Sequence, residues 1–338
     1  MSKFSLRKWL FIFSGLAVLI MTALAFGFVW FLNSPADMEA ASQVVVIKEG
    51  MSLKEVAEDL EQHNIITSQT LFMQWARFNG YSRMIKAGEY QLSPDMTPLQ
   101  IMEKIIKGII ITHPVTIPEG YSINQIAELL ADKGLVDKDK FLIYTQDKKV
   151  LEKYDISGPN LEGHLYPDTY NFGLGLSCES ITDTMIKRFQ EIVKPLLPAI
   201  EQSGRTLNEV VTLASIVEKE TGKAEERPLI ASVFLNRIRM NMRLESDPTV
   251  IYGIKDFNGN ITKKDLSRKT PYNTYVIRGI PPGPIANPGY EAIHAVIYPD
   301  QTEYLYFVSK NDGSHYFSKD LKEHNRAVYT YQKTPRSN

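Results

Sequence analysis

An uncharged apolar segment near the N-terminus constrains the fold of this chain more than any other feature. The segment Leu10–Leu32 runs for 23 residues without a charge, and about 20 apolar residues allow a helix to cross a bilayer. Lys3, Arg7 and Lys8 precede the segment, and the first acidic residue after it is Asp37. The positive-inside rule therefore predicts a single-pass protein of the inner (plasma) membrane, with the bulk of the chain on the extracytoplasmic (periplasmic) side.

A cleaved signal peptide is the alternative interpretation of the same segment. The apolar run is longer than the ~7–15 residues of a signal-peptide core, and no small-x-small cleavage site closes it. We therefore expect an uncleaved anchor. The expected order is a cytoplasmic tail over 1–9, a transmembrane helix over 10–32 and a linker over 33–42.

The 306 residues after the anchor are enough for two domains. The formal net charge of −1 gives no reason to expect nucleic acid as a partner. A single cysteine, Cys178, cannot form an internal disulfide, so packed cores must stabilise the fold. The six histidines lack metal-ligand spacing, and we expect neither a metal nor another cofactor.

A duplicated motif follows the linker. Residues 45–60 and 115–130 are identical at eight of sixteen positions when aligned at an offset of 70. Each copy predicts a short strand, a Gly turn, a Ser N-cap and an amphipathic helix. Further helices are predicted at 67–78 and 138–145, and closing strands at 87–92 and 161–172. Extracytoplasmic βααβ units of this kind look like LysM modules, which bind N-acetylglucosamine polymers; a purely structural spacer is the alternative.

These patterns predict an α+β protein with a LysM-like domain over 43–110 and a mixed α+β catalytic domain over 111–338. The second LysM-like copy lies near 113–190, inside the larger domain. It departs from the first copy at LEGHLYPDTYNF, residues 161–172, which we interpret as a loop inserted at the strand end. Inserted loops often carry function.

A long segment rich in proline and glycine, residues 270–290, interrupts the second half of the catalytic domain. Its five prolines and three glycines exclude a helix or a central strand. Its tyrosines and isoleucines are too apolar for disorder. A stiff loop that carries Tyr and Asn suits a sugar-binding groove, although a rigid structural wrap is the alternative. After it, a hairpin over 304–318 and a helix from about Lys319 are predicted.

Glu218 is the strongest candidate for a catalytic acid. The segment Leu207–Glu220 predicts a helix, with Thr206 and Glu209 at capping-box spacing. Glu218 falls on the apolar face of that helix, where an unpaired carboxyl tends to hold a proton. Glu220 would point to the opposite side and contact solvent. On this view Glu218→Gln should fold with equal or higher stability. The alternative is a Glu at a frayed helix end that reaches water or pairs with an Arg.

A buried acid outside the membrane, next to a sugar groove, points to cleavage of a cell-wall glycan. Glycosidases need two carboxyls, ~5–5.5 Å apart in retaining enzymes and ~6.5–9.5 Å apart in inverting ones. Asp247 could be the second, although Ser-Asp-Pro-Thr also reads as a turn or helix cap. One carboxyl is enough if the C6 hydroxyl of a muramic acid ring attacks its own C1.

Several motifs resemble one family in the family's own order. The chain is similar to the endolytic murein transglycosylases, the YceG/MltG-like group, at LEGHLYPDTY (161–170), ASIVEKE (214–220), VFLNRI (233–238), SDPTVIYG (246–253), YNTY (272–275) and GIPPGPIANPG (279–289). The resemblance implies that the protein cuts nascent peptidoglycan strands between MurNAc and GlcNAc and leaves 1,6-anhydroMurNAc ends that terminate elongation. It also implies that Glu218, as the first Glu of EKE, is the catalytic acid and base.

Motif membership further implies substrate-binding roles for Ser246, Asp247, Tyr252, Tyr272, Asn273, Thr274, Tyr275 and Asn287. The expected partners are peptidoglycan strands and the membrane, and peptidoglycan synthases are candidates because the anchor holds catalysis where new strands emerge. Two other functions stay open: a muramidase-type hydrolase with Asp247 as the partner carboxylate, and a non-catalytic peptidoglycan-binding scaffold.

Overall fold

A computed structural model describes residues 3–255 and 257–333. The described chain contains both helices and strands, which confirms the α+β prediction, and it divides into two compact units. The first unit comprises the described residues up to His113 together with Asn171–Ser177, and the second comprises Pro114–Tyr170 and the described residues from Cys178 onward. The functions that the sequence assigns to these regions remain predictions.

The first unit begins with a long apolar helix, α1 (Lys3–Asn33). By length and composition its part Trp9–Asn33 could cross a membrane, the one such helix in the part of the chain that the structure describes. Most of its large side chains from Trp9 to Trp30 are exposed. Phe31 and Leu32, in contrast, are buried in the apolar core of the first unit, so the end of α1 belongs to that unit.

The rest of the first unit has the predicted strand-helix-helix-strand order. Its elements are β1 (Gln43–Ile47), α2 (Leu53–Gln62), α3 (Gln69–Phe78), β2 (Gly88–Leu92) and α4 (Pro98–Lys107). Strands β1 and β2 pair antiparallel, with Val45 opposite Tyr90. Ser52 is the N-cap of α2, as predicted, and it also forms a capping box with Glu55.

The second copy of the motif repeats this order. It contains β3 (His113–Thr116), α5 (Ile123–Asp132), α6 (Lys138–Tyr144), α7 (Lys148–Lys153) and β4 (Thr169–Phe172). Strands β3 and β4 pair, and the division between the units falls within both strands. The strand predicted over 161–172 is shorter than expected, because Gly163 has a left-handed φ of +85° and Pro167 follows. Residues 161–168 form a loop, and the LysM likeness remains a prediction.

The remainder of the second unit is mainly helical and closes with a hairpin. Its elements are α8 (Cys178–Val193), α9 (Leu197–Gln202), α10 (Leu207–Glu220), α11 (Arg227–Arg239), α12 (Asp247–Tyr252), α13 (Lys263–Leu266), α14 (Tyr290–Ile297), β5 (Tyr306–Ser309), β6 (His315–Ser318) and α15 (Leu321–Val328). Residues 270–289 contain neither helix nor strand, as their composition predicts. The core lies around α10, which packs against α11, α12 and α14.

Candidate active site

Helix α10 positions two carboxyl groups at its C-terminal end. The helix begins at the predicted capping box, in which the Glu209 backbone N–H donates to Thr206 Oγ1 (3.2 Å) and the Thr206 N–H donates to Glu209 Oε2 (2.7 Å). It ends at Glu220, so Glu218 lies in its last turn as expected. Every residue from Val210 to Val217 is buried, on all sides of the helix. The apolar face predicted from the sequence is therefore narrower than the buried surface of α10, because other elements pack around the helix.

Glu218 is buried, with 6% of its side chain exposed, but it is not unpaired. Arg227 Nη2 donates to Glu218 Oε1 at 2.8 Å, and the Gly289 backbone N–H donates to Glu218 Oε2 at 3.0 Å. Glu119 Oε2 lies 3.5 Å from the same Arg227 nitrogen. The expectation of an unpaired carboxyl is wrong, and the alternative of a pairing with an Arg is confirmed. The spacing within α10 could not show which Arg it is, because Arg227 lies at the start of α11.

Glu220 also differs from its prediction, because it does not point into open solvent. It is partly buried and lines a pocket of about 370 Å³. Ser246 Oγ donates to Glu220 Oε1 at 2.5 Å. Burial raises the pKa of Glu220 to about 7, and the nearby Asp247 adds to this rise, while the Ser246 hydrogen bond and Arg237 oppose it. Glu220 is therefore a carboxyl that can hold a proton near neutral pH.

Asp247 and Tyr275 lie in the same pocket as Glu220. Asp247 is the first residue of α12, and Tyr275 comes from the proline-rich loop. The Tyr275 hydroxyl donates to Asp247 Oδ1 at 2.8 Å. Burial, followed by this hydrogen bond, raises the pKa of Tyr275, so its hydroxyl remains a donor. The pocket thus combines a protonatable carboxyl, a second carboxyl and a phenol.

Ser246, Asn273 and Thr274 form the buried support behind this pocket. The Ser246 N–H donates to Thr274 Oγ1 at 3.0 Å, and the Thr249 and Thr274 hydroxyls are 2.8 Å apart. The Asn273 amide donates to the backbone carbonyls of Asp265, Leu266 and Arg268. These bonds hold the proline-rich loop against the start of α12, and they place Tyr275 beside Asp247.

The other predicted substrate-binding residues gather around a different carboxyl, Glu162, which motif reading did not single out. Glu162 accepts from the Ile123 N–H (3.0 Å), Asn287 Nδ2 (2.9 Å) and the Tyr252 hydroxyl (3.2 Å). Tyr272 packs on Tyr252, with ring centroids 4.8 Å apart. Burial raises the pKa of Glu162 to about 8, while its three hydrogen bonds oppose the rise. The signal in the sequence that could have identified Glu162 is its place in the motif LEGHLYPDTY, directly before Gly163.

Asn287 joins the proline-rich loop to the second copy of the repeat. Its Oδ1 accepts from the Leu165 N–H at 2.9 Å, and its Nδ2 donates to the Tyr121 carbonyl at 2.9 Å. The structure therefore divides the predicted site residues into three groups. Ser246, Asp247, Asn273, Thr274 and Tyr275 surround or support the Glu220 pocket; Tyr252, Tyr272 and Asn287 surround Glu162; and Glu218 pairs with Arg227.

A basic residue completes one wall of the Glu220 pocket. Arg237 of α11 donates from Nε to the Leu305 carbonyl (2.7 Å), and from Nη1 to the Leu244 carbonyl (2.9 Å) and Glu245 Oε2 (3.2 Å). Arg237, Glu245 and Asp247 all line the pocket, so its surface is strongly polar. Within residues 3–255 and 257–333, no three His, Cys, Asp or Glu side chains cluster as a metal site would require.

Known proteins resemble this chain over most of its length. The YceG-like family matches residues 45–330. An endolytic murein transglycosylase of Bacillus subtilis is 32% identical over 317 residues, which cover 89% of this chain and 88% of the relative. One of Streptococcus pneumoniae is 30% identical, and the match covers 90% of this chain and 61% of the relative. A crystal structure of a YceG-like protein from Listeria monocytogenes is 34% identical, with a TM-score of 0.59, over 84% of this chain and 98% of that one. The chain therefore belongs to the YceG-like family.

Proposed function

We propose that this protein is a membrane-anchored lytic transglycosylase that cuts peptidoglycan strands internally. The names of the relatives from Bacillus subtilis and Streptococcus pneumoniae, endolytic murein transglycosylase, support the activity and the substrate. Within the chain, the observation that carries the proposal is a polar pocket that holds Glu220 beside Asp247 and Tyr275. Burial there raises the pKa of Glu220 to about 7. A proton-holding carboxyl is what cleavage of a glycosidic bond requires of a general acid.

Glu220 is the residue that we assign to proton transfer. Its carboxyl donates a proton to the glycosidic oxygen that leaves C1 of the MurNAc ring. The C6 hydroxyl of the same ring then bonds to C1, and the ionised carboxylate of Glu220 takes the proton of that hydroxyl. The products are a 1,6-anhydroMurNAc end and a GlcNAc end, no water is consumed, and Glu220 regains its starting state.

Ser246, Asp247 and Tyr275 support this chemistry. The Ser246 hydroxyl fixes one oxygen of Glu220, which leaves the other oxygen for the substrate. Asp247 raises the pKa of Glu220 by charge repulsion, and its carboxylate can stabilise the positive charge that develops at C1. Tyr275 keeps Asp247 in place through its hydroxyl.

Glu218, the residue that the family resemblance implied, is the competing choice for the acid. Each of its oxygens accepts one hydrogen bond, from Arg227 and from the Gly289 N–H, and it is not among the residues that line the Glu220 pocket. The test compares Glu220→Gln and Glu218→Gln, which make the same chemical change two residues apart. Purified variants in detergent are incubated with isolated sacculi, and the released fragments are identified by mass spectrometry.

We expect Glu220→Gln to release no anhydro-ended fragments, whereas folded Glu218→Gln releases them at a reduced rate. The reverse result would move the acid to Glu218 and leave the reaction class unchanged. Full activity of both variants would contradict the assignment of the acid to either glutamate. Release of no fragments by the wild-type protein would contradict the transglycosylase proposal and favour a non-catalytic, glycan-binding scaffold.

A hydrolase remains a second candidate, because Asp247 lines the same pocket as Glu220 and provides a second carboxyl. A hydrolase would add water to the cleaved bond, whereas the proposed reaction adds none. Digestion in oxygen-18 water separates the two: we expect unlabelled products, each cleaved MurNAc end being one water lighter than a reducing end. Label at the new ends, together with a large loss of activity in Asp247→Asn, would favour the hydrolase.

Helix α1 supports the proposed location as a single-pass anchor, with both units on the extracytoplasmic side. The βααβ arrangement of residues 43–110 supports a LysM-like, glycan-binding role for that region. Peptidoglycan synthases are proposed partners on location alone. Protease added outside intact spheroplasts should degrade both units if this orientation is right, and protection of both units would reverse it.

A further inference from the structure

Two arginines, Arg205 and Arg239, line a polar pocket to which the sequence motifs gave no role. The volume of this arginine pocket is about 500 Å³, which is within the range of small-molecule sites. Arg205 directly precedes the N-cap of α10, and Arg239 is the last residue of α11. Glu218 and Arg227 pair at the opposite ends of the same two helices. Among the described residues, none lines both this pocket and the Glu220 pocket.

The floor of the arginine pocket is held by hydrogen bonds before any ligand arrives. Ser232 and Asn236 of α11 are buried and line it. Ser232 Oγ lies 2.7 Å from Thr302 Oγ1, and Asn236 Nδ2 donates to the carbonyls of Thr302 and Tyr304 at 2.9 Å each. Asn236 Oδ1 accepts from Arg239 Nη2 at 2.5 Å. The guanidinium of Arg239 is therefore already oriented, which lowers the ordering cost of binding.

The two arginines of the pocket have no acidic partner in the part of the chain that the structure describes. Arg205 forms no side-chain hydrogen bond there either. Asp300 also lines the pocket, but no ion pair joins it to Arg205 or Arg239. Guanidinium groups are suited to carboxylates, because their N–H donors match the two carboxylate oxygens. Two of them in one polar pocket, without an acid bound to either, favour an anionic ligand.

Asp300 gives the pocket a second, negative end. Its backbone N–H donates to the Pro228 carbonyl at 3.3 Å, near the start of α11. Arg239 ends the same 13-residue helix, roughly 16 Å along the axis from Pro228 at ~1.5 Å per residue. The acid and this arginine therefore lie toward opposite ends of the pocket. Such an arrangement suits an extended zwitterion, with a carboxylate at one end and an ammonium group toward the other.

The stem peptides of peptidoglycan have this pattern of charge. A stem pentapeptide ends in the free carboxylate of a D-alanine, and its third residue, a diamino acid, carries an amino group on its side chain. In an extended peptide, two residues and that side chain separate the two charges by roughly 10 Å. The sugars of an intact strand are uncharged, so they would not account for the two arginines.

We propose that the arginine pocket binds the stem peptide of peptidoglycan, with the terminal carboxylate held by Arg205 and Arg239 and the amino group of the third residue held by Asp300. This inference rests on the proposed function for its ligand, and it adds the peptide as a recognised part of the strand. It does not depend on which glutamate transfers the proton. Cross-linking consumes either the terminal D-alanine or the amino group, so the pocket favours stem peptides that are not cross-linked.

The experiment measures peptide binding to the full chain in detergent, without cleavage. The probe is the pentapeptide L-Ala-γ-D-Glu-L-Lys-D-Ala-D-Ala with a dye on its N-terminal amine, where the glycan is attached in the strand, and the readout is fluorescence anisotropy. Two matched probes carry either a C-terminal amide or an acetylated lysine. The variants are Asp300→Asn and Arg205→Gln, which removes a charge without a partner in the described chain. Arg243→Gln, at an exposed arginine outside the pocket, is the control.

We expect Arg205→Gln to bind the free-acid probe about 3- to 10-fold more weakly than wild type, between the ranges for an exposed ion pair and for a buried charged hydrogen bond. It should bind the C-terminal amide with the same affinity as wild type does. Asp300→Asn should weaken binding of the lysine probe but not of the acetyl-lysine probe. Arg243→Gln should bind like wild type, and all three variants should keep the wild-type melting temperature.

No binding of the probe to wild type, or equal binding of the free-acid and amide probes, would overturn the inference. An equal effect of Arg205→Gln on these two probes would also overturn it, because the terminal carboxylate would then not be the recognised group. Equal effects of Asp300→Asn on the lysine and acetyl-lysine probes would overturn the assignment of the amino group. None of these results alters the release of anhydro-ended fragments from sacculi, which tests the proposed function separately.

Discussion

At the residue scale, the two glutamates that end α10 have opposite surroundings. Glu218 accepts hydrogen bonds from the Arg227 guanidinium and the Gly289 backbone N–H. Glu220 faces a pocket with Asp247 close by, and this stabilises the protonated form. Residues two apart on a helix point about 200° apart. One helix end can therefore place two carboxyls in two different environments.

The pH dependence of activity should report the protonation of Glu220. Its pKa of about 7 means that the acid form is abundant below pH 7 and is lost above it. We expect turnover on sacculi to fall about tenfold per pH unit well above pH 7. Glu218→Gln is the control, because its activity should fall over the same pH range as that of wild type. A fall that moves to another pH range in Glu218→Gln would contradict the assignment of this pKa to Glu220.

The stability of Glu220→Gln should depend on pH in a defined direction. The pKa of Glu220 rises from 4.5 to about 7 on folding. The folded chain therefore holds a proton that the unfolded chain releases, and wild type loses stability as pH rises from about 4.5 to 7. The Gln side chain does not titrate, so the variant does not lose this stability. We expect the variant to gain on the order of 3 kcal/mol relative to wild type across that window, measured by urea unfolding in detergent; a constant difference would contradict the raised pKa.

Glu218→Gln should destabilise the protein, which reverses the expectation from sequence. The change removes the charged partner of the buried Arg227 and leaves Glu119, 3.5 Å away, as its remaining acidic neighbour among the residues that the structure describes. Breaking a buried ion pair costs about 3–5 kcal/mol, and we expect about 3 kcal/mol because one acidic neighbour stays. In a double-mutant cycle, Arg227→Met should cost less in the Glu218→Gln background than in wild type. Additive costs would argue against coupling of the two groups.

At the element scale, the loop 161–168 packs closely against both α10 and the proline-rich loop. A Cβ at Gly163 would lie 2.4 Å from Pro284 Cγ and 2.8 Å from Val211 Cγ1, and the φ of Gly163 is +85°. Neither neighbour is the far end of a flexible side chain. The close approach at Gly163 therefore fixes where Glu162 enters the core.

Gly163→Ala should lower stability well beyond the cost of backbone strain alone. Gly204→Ala is the matched control, since Gly204 has a similar φ of +70° but nothing within 4 Å of an added Cβ. We expect about 1–2 kcal/mol for Gly204→Ala and clearly more for Gly163→Ala. Equal losses of unfolding free energy in the two variants, measured in urea, would show that the loop can shift to accept the added methyl group without further cost.

At the scale of the whole molecule, α1 has two parts with different surroundings. The side chains of most residues from Trp9 to Trp30 are exposed, whereas Phe31 and Leu32 belong to the core of the first unit and Phe28 packs against it. The exposed apolar side chains of a helix of this length need to be shielded from water, and we propose that a bilayer shields them. The last turn is a structural part of the first unit.

The position of a truncation should therefore decide its effect. A chain that starts at residue 28 should leave the membrane fraction and keep the stability of the first unit. A chain that starts at residue 34 should also be soluble but should lose about 3 kcal/mol, because Phe31 and Leu32 are missing from the core. Equal melting temperatures of the two would show that the last turn adds nothing, and membrane association of both would contradict the anchor.

Local signals were enough to predict most of the elements. The N-cap at Ser52, the capping box at Thr206, the Gly turns of the repeat and the prolines of 270–290 act within a few residues, and the structure confirms the elements that they predicted. The apolar run of α1 is equally local. The predicted strand over 161–172 was too long, because Gly163 adopts a left-handed φ of +85° and Pro167 follows it. A glycine allows such a φ but does not require it, so the sequence alone did not show the loop.

The amino-acid sequence by itself determined the apolar N-terminal helix, the duplicated βααβ order, the bounds of α10 and the family motifs, since each depends on neighbours along the chain. Only the tertiary structure decided the partners of the carboxyls. Arg227 reaches Glu218 from the next helix, Ser246 reaches Glu220 across 26 residues, and Asn287 reaches Glu162 across 125 residues. The pKa of a carboxyl depends on the charges and donors within a few ångströms of it, and these come from elements that only folding brings together.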